Sequence, residues 1–261
     1  MIKGLRFSGM ALFILLTALG SSFASCGIET YKYLDPVDPG IPMTFNTTAY
    51  IALPGGQPNY FRYFVIYYRI YISNLPVNVV DTGALAQINS SLYTDYNYFL
   101  SYTNSTTAPT TMGSTFSGRK YFPLELENAS IESVLDSGGG VVTLDFSAPQ
   151  SRPSLIMGDI RSEQPGAPYT RYTLSRNTRN DNTPYANNYY FVNSDDINNG
   201  DHISSDSSRI NQDVEKGAQS VSGPKYTYAS MYILAHGLDD TNFTNIYSIP
   251  TFIGIFRLPD E

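Results

Sequence analysis

The sequence predicts a mainly β protein, built as an antiparallel sandwich with one inserted helix and extra hairpins. Short segments rich in β-branched and aromatic residues alternate with stretches of Gly, Pro and Ser, which is the pattern of antiparallel strands joined by turns. Tyrosine is abundant, with 22 residues, tryptophan is absent, and Asn, Ser and Thr crowd the connections. This composition is typical of an exported β-rich protein with a polar surface.

The first 25 residues have the layout of a secretory signal peptide. Lys3 and Arg6 precede an uncharged run over residues 7–19, and small residues follow up to Cys26. The apolar run is too short to span a bilayer, which needs about 20 apolar residues. We therefore expect residues 1–25 to be removed during export.

Cys26 is the only cysteine in the chain and directly follows the expected processing site. The preceding residues resemble a bacterial lipobox, in which the cysteine is lipid-modified and becomes the new N-terminus. Ala24 and Ser25 fit that motif, whereas Phe23 replaces its usual leucine. Because a single cysteine has no disulfide partner, we expect Cys26 to carry acyl chains such as palmitate that anchor the protein to a bacterial membrane. The alternative is an ordinary signal peptide cut near Ala24.

The residues after Cys26 are predicted to form a tether. Residues 26–43 contain Pro36, Pro39 and Pro42, and a proline-rich segment of this kind is expected to be extended and poorly packed. The globular domain is then expected to occupy residues 44–261.

Strands are predicted at intervals along this domain. The clearest covers residues 60–72, where aromatic and β-branched residues alternate between two faces, and Phe64 and Ile66 belong to the face predicted as core. A shorter strand over residues 46–53 precedes it, and a Gly/Pro turn separates the two. The other predicted strands cover residues 118–127, 140–147, 153–158, 169–176, 188–193, 226–236 and 250–258.

One helix is predicted, from about residue 81 to about residue 100. Its apolar residues recur at spacings of three and four, as on one face of an amphipathic helix. They are Leu85, Ile88, Leu92, Tyr96 and Phe99. We expect this stripe to pack onto the sheet.

A long polar loop is predicted over residues of about 193–223, with at most one helical turn near residues 211–216. Its Asp, Asn and Ser content offers too little apolar area to offset the entropy of ordering, so it is expected to be mobile. Oxygen-bearing side chains cluster in it, and calcium prefers such ligands. The calcium candidates are Asp195, Asp196, Asn198 and Asp201. Their spacing matches no complete calcium loop, so a solvated acidic loop is the alternative, and no cofactor is expected.

Two stretches resemble a fibronectin type III-like domain. Residues 65–69, VIYYR, resemble its central strand C, and residues 232–250 resemble the end of strand F, the next turn and the start of strand G. The resemblance implies an immunoglobulin-like sandwich, although no tryptophan is present for strand B. Together with the lipobox, the chain resembles the uncharacterised lipoproteins of spirochaetes, a family whose functions cannot be carried over.

Few residues suggest catalysis. His236 lies near Asp239 and Asp240 and could act as a base held by a carboxylate, but no G-x-S-x-G motif is present, and a surface histidine at a turn is the alternative. Two of the carboxylates between residues 145 and 163 could form a pair for glycoside hydrolysis, although any acidic protein contains carboxylates that could be paired in this way. They are Asp145, Asp159 and Glu163.

Charge limits the class of partner. The formal net charge is −7, and loss of Lys3 and Arg6 with the leader would change it to −9. An acidic chain repels phosphate backbones, so no nucleic-acid partner is expected. The sequence favours a binding or structural module of the cell envelope, attached through its N-terminal lipid and serving a protein or glycan ligand. The alternative is an envelope hydrolase, such as a carbohydrate-active one, with its site in the 158–223 loops.

Overall fold

Antiparallel β-sheets dominate the computed structural model, which describes residues 32–38, 47–76, 82–104, 111–147, 152–161, 169–176, 191, 213–215 and 225–260. The prediction of a mainly β chain with antiparallel sheets is confirmed. The strands are β1 (Thr48–Ala52), β2 (Phe61–Ser73), β3 (Phe122–Pro123), β4 (Glu125–Leu126), β5 (Val141–Asp145), β6 (Ser154–Met157), β7 (Thr170–Ser175), β8 (Val214–Glu215), β9 (Tyr226–Asp239), β10 (Thr244–Tyr247) and β11 (Thr251–Arg257). The helices are α1 (Thr82–Ile88), α2 (Ser90–Leu100), α3 (Met112–Gly118) and α4 (Ile131–Val134), with a 3₁₀ turn over Ser101–Asn104.

The strands form two sheets. In the first, the order is β1-β5-β6-β7-β4, and each neighbouring pair is antiparallel. The second is built on β2 and β9, of 13 and 14 residues, which pair antiparallel with Ile66 opposite Ile233. Both β10 and β11 pair with β9, whereas β3 and β8 pair with β2, and the short β2–β8 pair is parallel.

Strand β2 is buried on both of its faces. Since side chains alternate along a strand, Phe64 and Ile66 point to one face, where they share a core with residues of the first sheet such as Leu144. The opposite face carries Val65 and Tyr71, which belong to two apolar clusters formed with the helices. The face predicted as core is therefore confirmed, and the other face supports a second, helix-covered layer.

Two helices occupy the region where the sequence predicts one. Asn89 separates α1 from α2 with an extended backbone (φ −164°, ψ 129°), and its Oδ1 accepts a hydrogen bond from the backbone N–H of Ser91 at 2.8 Å. An asparagine in this position satisfies an otherwise unpaired amide at the start of a helix. The five residues of the predicted apolar stripe are all buried, as expected for a helix packed on the sheet.

Residues 111–126 differ from the prediction of a strand over 118–127. Helix α3 extends to Gly118, and Lys120 then adopts a left-handed backbone (φ 59°) that turns the chain before β3 and β4. Each of these strands has only two residues, because each pairs with a different sheet, β3 with β2 and β4 with β7. The polar connection predicted between residues 237 and 249 also contains a strand, β10.

The globular part begins at Tyr33 and not near residue 44. Within the predicted tether, Leu34 and Val37 are buried in the main core, and Asp38 forms a β-bridge with Ala52. The tether prediction is thus wrong for residues 33–38, because two apolar side chains suffice to dock this segment.

The prediction of a mobile loop over residues of about 193–223 is also wrong for residues 213–215. Asp213 is buried, and Val214 and Glu215 form β8 in place of the predicted helical turn. The Nε of Arg176, which is fully buried, donates to Asp213 Oδ2 at 2.8 Å, and the Tyr68 hydroxyl donates to the same oxygen at 2.9 Å. The strand predicted over residues 188–193 lies outside the described residues except for Phe191, which is buried against Tyr68.

Candidate functional site

A pocket of about 430 Å³ opens beside the C-terminal half of α2. This volume is within the range of about 300–1,000 Å³ typical of small-molecule sites. Residues of α2, of β9, of the N-terminal segment 36–38 and of the stretch 249–252 line it. We call it the aromatic pocket, because four aromatic rings contribute to its wall.

Helix α2 supplies one side of the aromatic pocket. Tyr96, Phe99 and Leu100 are spaced by three and four residues, so they lie on one face of the helix. Phe99 is buried, whereas Leu100 is 43% exposed at the mouth. The predicted apolar stripe therefore identifies part of this site, although not its role.

The four rings contact one another in sequence. Tyr96 meets Phe252 with ring centroids 5.2 Å apart and planes at 70°, Phe252 meets Tyr232 at 5.1 Å and 55°, and Tyr232 meets Phe99 at 4.7 Å and 50°. Phe252 lies opposite Tyr232 in the β9–β11 register, just before a bulge at Gly254. Because successive rings are tilted, the wall is not a flat stack.

The N-terminal segment closes another side. Its backbone is held by side chains of the domain: the Tyr60 hydroxyl donates to the Tyr33 carbonyl at 2.7 Å, and the Thr251 hydroxyl donates to the Val37 carbonyl at 2.6 Å. These bonds place Pro36, Val37 and Asp38 at the pocket. These hydrogen bonds therefore fix the backbone on the side of the pocket that the N-terminal segment forms.

A buried polar network fastens α2 to the sheet beneath the aromatic pocket. The carboxylate of Asp95 accepts hydrogen bonds from Arg69 Nη1 at 2.7 Å, from Arg119 Nη1 at 2.6 Å and from the Tyr71 hydroxyl at 2.6 Å. Arg69 also pairs with Glu215 of β8. Two guanidinium groups are therefore matched by two carboxylates, and the position of α2 on β2 is fixed by directional bonds.

The network continues to β9 through two hydroxyls. The Tyr71 and Tyr121 hydroxyls are 3.0 Å apart, and Tyr121 donates to Ser230 Oγ at 3.2 Å. Burial raises the pKa of Tyr71 well above its usual value, and burial also raises the pKa of Tyr121 and Tyr232. All three phenols therefore stay protonated at neutral pH; Tyr71 and Tyr121 are hydrogen-bonded in the network, whereas the Tyr232 hydroxyl is buried without a hydrogen-bond partner among the described residues.

The lining of the aromatic pocket is mainly apolar and aromatic. Among the described residues that line it, Asp38 carries the one ionisable carboxylate, and there is no histidine, cysteine, serine or basic residue. Across the described part of the chain, no group of three or more His, Cys, Asp or Glu is placed to hold a metal. No helix in that part is long and apolar enough to cross a membrane.

Several residues singled out by the sequence lie outside the described residues. They are Cys26, Glu163 and the calcium candidates Asp195, Asp196, Asn198 and Asp201. The other two hydrolase candidates are not brought together as a pair. Asp145 bonds to Ser147 and Arg171, and Asp159 bonds to Arg161. For Asp145, burial raises the pKa, but the bonds from Ser147 and Arg171 outweigh burial and the net shift is downward.

His236 lies in an aromatic cluster away from the aromatic pocket's lining. Its ring packs between Tyr63 and Tyr247, with centroids 4.7 and 4.9 Å away, and Nε2 is 3.3 Å from Asn245 Oδ1. Nδ1 is buried without a hydrogen-bond partner among the described residues. Burial lowers the pKa of His236, and the Asn245 bond and the charge of Glu132 oppose it in part, while Arg62 lowers it further. Among the described residues, the imidazole is hydrogen-bonded to Asn245 and not to a carboxylate.

We expect His236→Gln to flatten the pH dependence of stability. The pKa of His236 in the folded protein lies below its unfolded value of about 6.5. As the pH falls between these two values, the unfolded chain therefore binds more protons than the folded chain. The His236 contribution is therefore complete above about pH 6.5 and decreases as the pH approaches the lower folded pKa. Urea unfolding between pH 5 and 8 measures it, with His202→Gln as control. An unchanged slope in His236→Gln would contradict the assignment.

No family model matches the chain, and neither the curated proteins nor the solved structures compared with it provide a match.

Proposed function

We propose that the protein is a lipid-anchored binding protein of the bacterial cell envelope, with the aromatic pocket as its ligand site. The observation that carries this proposal is a pocket of about 430 Å³ whose lining contains four contacting aromatic residues beside apolar residues such as Val37 and Leu100. Apolar and aromatic walls with a few polar groups are the usual composition of small-molecule sites. Aromatic side chains offer large, rigid contact areas at a low entropic cost.

The construction of the pocket supports binding to a preformed site. Asp95, one residue before Tyr96 in α2, is held by two arginines and a tyrosine, and Thr251, beside Phe252, is bonded to the N-terminal segment. Walls that are fixed before the ligand arrives reduce the entropic cost of association. The hydrolase alternative has no comparable support, since most of the 158–223 loops lie outside the described residues.

A tryptophan at the mouth of the pocket would report occupancy. The chain has 22 tyrosines and no tryptophan, so a tryptophan introduced by Leu100→Trp at the pocket, or by Leu75→Trp elsewhere, can be excited selectively at the long-wavelength edge of its absorption. The two leucines are matched, since they are 43% and 41% exposed. We expect benzene, supplied to the full-length protein through the vapour phase, to change the emission of Leu100→Trp and not that of Leu75→Trp. Closed apolar cavities take up benzene, and the apolar part of this lining offers it similar contacts.

The full-length protein is kept in detergent micelles, which also take up benzene. Because the vapour phase sets the chemical activity of benzene, the amount dissolved in the micelles does not alter it, and Leu75→Trp reports any change in the micelles themselves. Equal responses of the two variants would contradict the proposed pocket. A circular dichroism melt of each variant would first establish that the substitution leaves the fold intact.

Lipid anchoring is the second part of the proposal, and Cys26 is its test. One acyl chain gives only marginal membrane binding, whereas two or more anchor a protein stably. We expect Cys26→Ala to abolish incorporation of an alkynyl fatty acid and to move the protein from the detergent phase to the aqueous phase on partitioning. Thr30→Ala, four residues further along, serves as the control. Retention of Cys26→Ala in the detergent phase would exclude the lipobox assignment.

We also propose that the two sheets form a divergent fibronectin type III-like sandwich. In immunoglobulin-like folds, strands C, F and G share one sheet. The segments that resemble C, F and G correspond to β2, β9 and the start of β11, and β9 pairs with both β2 and β11. A shared core between this sheet and the first sheet is also in keeping with the proposal. An experimental structure in which the strands of the first sheet are connected differently from those of a fibronectin type III-like sandwich would contradict this proposal.

A further inference from the structure

We infer that the tip of the β9–β10 hairpin contacts the membrane surface, with Phe243 inserted among the lipid headgroups. The inference goes beyond the proposed ligand site and rests on the lipid anchoring proposed above. It is based on an exposed phenylalanine in a left-handed backbone, at the end of the domain where the chain from Cys26 enters.

Phe243 is the most exposed large hydrophobic residue in the described part of the chain, at 81%. Its backbone is left-handed (φ 52°), a conformation that suits glycine or asparagine and is unfavourable for a bulky side chain. A phenylalanine at this position therefore stabilises the fold neither by burial nor through its backbone. Residues held in such conformations occur most often at functional sites, which indicates a contact outside the domain.

The hairpin tip has a defined shape. Asp239 and Thr244 form the last pair of the β9–β10 register, so residues 240–243 make the turn. The Asp239 carboxylate accepts a hydrogen bond from the Thr241 amide at 2.9 Å and another from the Asn242 side chain at 3.3 Å. A turn held by these bonds presents Phe243 at a low cost in ordering entropy.

The chain enters the domain at the same end of the second sheet. The Tyr60 hydroxyl donates to the Tyr33 carbonyl at 2.7 Å, and the Tyr60 carbonyl accepts the Leu238 amide at 2.9 Å. The hairpin turn begins two residues after Leu238. From Tyr33, which is 40% exposed, the segment then leads away to Thr251. The chain before Tyr33 therefore joins the domain beside the hairpin tip.

The length of that chain limits the distance between this end of the domain and the membrane. Seven residue steps separate Cys26 from Tyr33. Seven residues span at most about 25 Å even when fully extended. An acylated Cys26 would therefore keep Tyr33, and the hairpin tip beside it, within about this distance of the bilayer.

Charge favours neutral headgroups over anionic ones. Asp239 and Asp240 lie at the turn, and residues 237–249 contain no lysine or arginine. Anionic lipids attract basic segments and repel acidic ones. Phenylalanine inserts at the boundary between headgroups and acyl chains, and tyrosine is enriched at the headgroup level, where Tyr33 would lie. The partner is therefore a surface of zwitterionic lipid such as phosphatidylcholine or phosphatidylethanolamine.

Phe243→Trp provides the direct test, because the chain has no tryptophan of its own. The full-length acylated variant is placed in phosphatidylcholine vesicles that contain lipids brominated on the acyl chains near the headgroups, which quench tryptophan at short range. We expect quenching by these lipids. Iodide in the water should quench at least about 3-fold less than in the unacylated Cys26→Ala/Phe243→Trp protein, since inserted apolar side chains lie about 5–10 Å into the boundary. Replacing part of the phosphatidylcholine by phosphatidylglycerol should reduce the quenching by brominated lipid, and salt should restore it.

Leu75→Trp is the matched control. Leu75 is 41% exposed and follows the end of β2 at which Ser73 pairs with Tyr226, whereas the hairpin tip follows the opposite end of β9. Its tryptophan should be quenched by iodide and not by the brominated lipids.

Phe243→Gly tests whether the ring serves the fold instead. Glycine adopts a left-handed backbone at no steric cost, so this variant should unfold at the same urea concentration as the wild type or at a higher one. A clear loss of stability would show that the ring packs within the domain, and would overturn the inference.

The outcomes distinguish this inference from the anchoring on which it rests. If Cys26→Ala stays in the detergent phase, anchoring and membrane contact both fail. If Cys26 carries the lipid but brominated lipids quench Phe243→Trp no more than Leu75→Trp, the membrane contact fails and the anchoring stands. Protection from iodide without quenching by brominated lipids would assign the tip to a protein partner, and would also overturn the inference.

Discussion

Asp95→Ala is expected to lower the free energy of unfolding by about 3–5 kcal/mol, the range typical of breaking a buried ion pair by removing one partner. The carboxylate is 5% exposed and accepts bonds from Arg69, Arg119 and Tyr71. Its removal leaves Arg69 and Arg119 with Glu215 as the one remaining carboxylate partner in the network. Because domains of this size are stable by about 5–15 kcal/mol, much of the total would be lost.

Urea unfolding of the full-length protein, followed by circular dichroism, measures this effect. Asp260→Ala is the matched control, since its bond to Arg257 is 3.5 Å long and both side chains are exposed, and surface pairs contribute about 0–1 kcal/mol. A loss below about 1 kcal/mol for Asp95→Ala would show that water or a rearranged Glu215 replaces the carboxylate.

The helix stripe was predictable, and the Asp95 network was not. Leu85, Leu92 and Phe99 repeat at helical spacing, and local periodicity alone places them on the buried face. Asp95 is three residues after Leu92 and four before Phe99, so the same periodicity places it on the buried face, but gives no reason for a carboxylate there. Its partners come from β2 and from the residue after α3, so the burial of this charge depends on long-range packing that spacing in one sequence does not encode.

The bounds of β1, β2, β5, β6, β7, β9 and β11 agree with the predicted strands to within about three residues, whereas the two-residue strands β3, β4 and β8 were predicted only as part of a longer strand or not at all. β2 and β9 have 13 and 14 residues and an intrinsic preference for extended structure, so their bounds could be predicted to within a few residues. β3, β4 and β8 have two residues each, and such short strands exist only because a partner edge is nearby. The pocket also depends on long-range strand pairing, because the β9–β11 register brings Tyr232 and Phe252 together.

Composition misled the prediction in two places for one physical reason. The prolines of residues 26–43 predict an extended tether, and the few apolar residues of the Asp/Asn/Ser-rich stretch 193–223 predict a segment that cannot order itself. Leu34 and Val37 nevertheless dock the first, and an ion pair at Asp213 holds part of the second. One or two well-placed contacts can fix a short part of a polar segment when the rest of the domain supplies a preformed surface.

Asp213→Ala is accordingly expected to cost about 3–5 kcal/mol, although composition alone would predict almost no effect at this position. Arg176 is fully buried, and Asp213 supplies the carboxylate that neutralises it through bonds to both Nε and Nη2. The same carboxylate accepts the Tyr68 hydroxyl, and the Asp213 carbonyl accepts the Ile70 amide at 2.8 Å. Replacing residues 194–221 with a Gly/Ser linker would remove these bonds and should destabilise the protein similarly.

The double variant Arg176→Met/Asp213→Leu separates an uncompensated charge from lost packing. Replacing a buried ion pair by apolar side chains of similar volume is often neutral or stabilising, whereas removing one partner is not. We therefore expect the double variant to unfold at a higher urea concentration than Asp213→Ala, and Asp159→Ala, whose partner Arg161 is exposed, to resemble the wild type. A double variant no more stable than Asp213→Ala would assign the loss to the bonds with Tyr68 and β8, and a stable Asp213→Ala would show that this stretch contributes nothing to the fold.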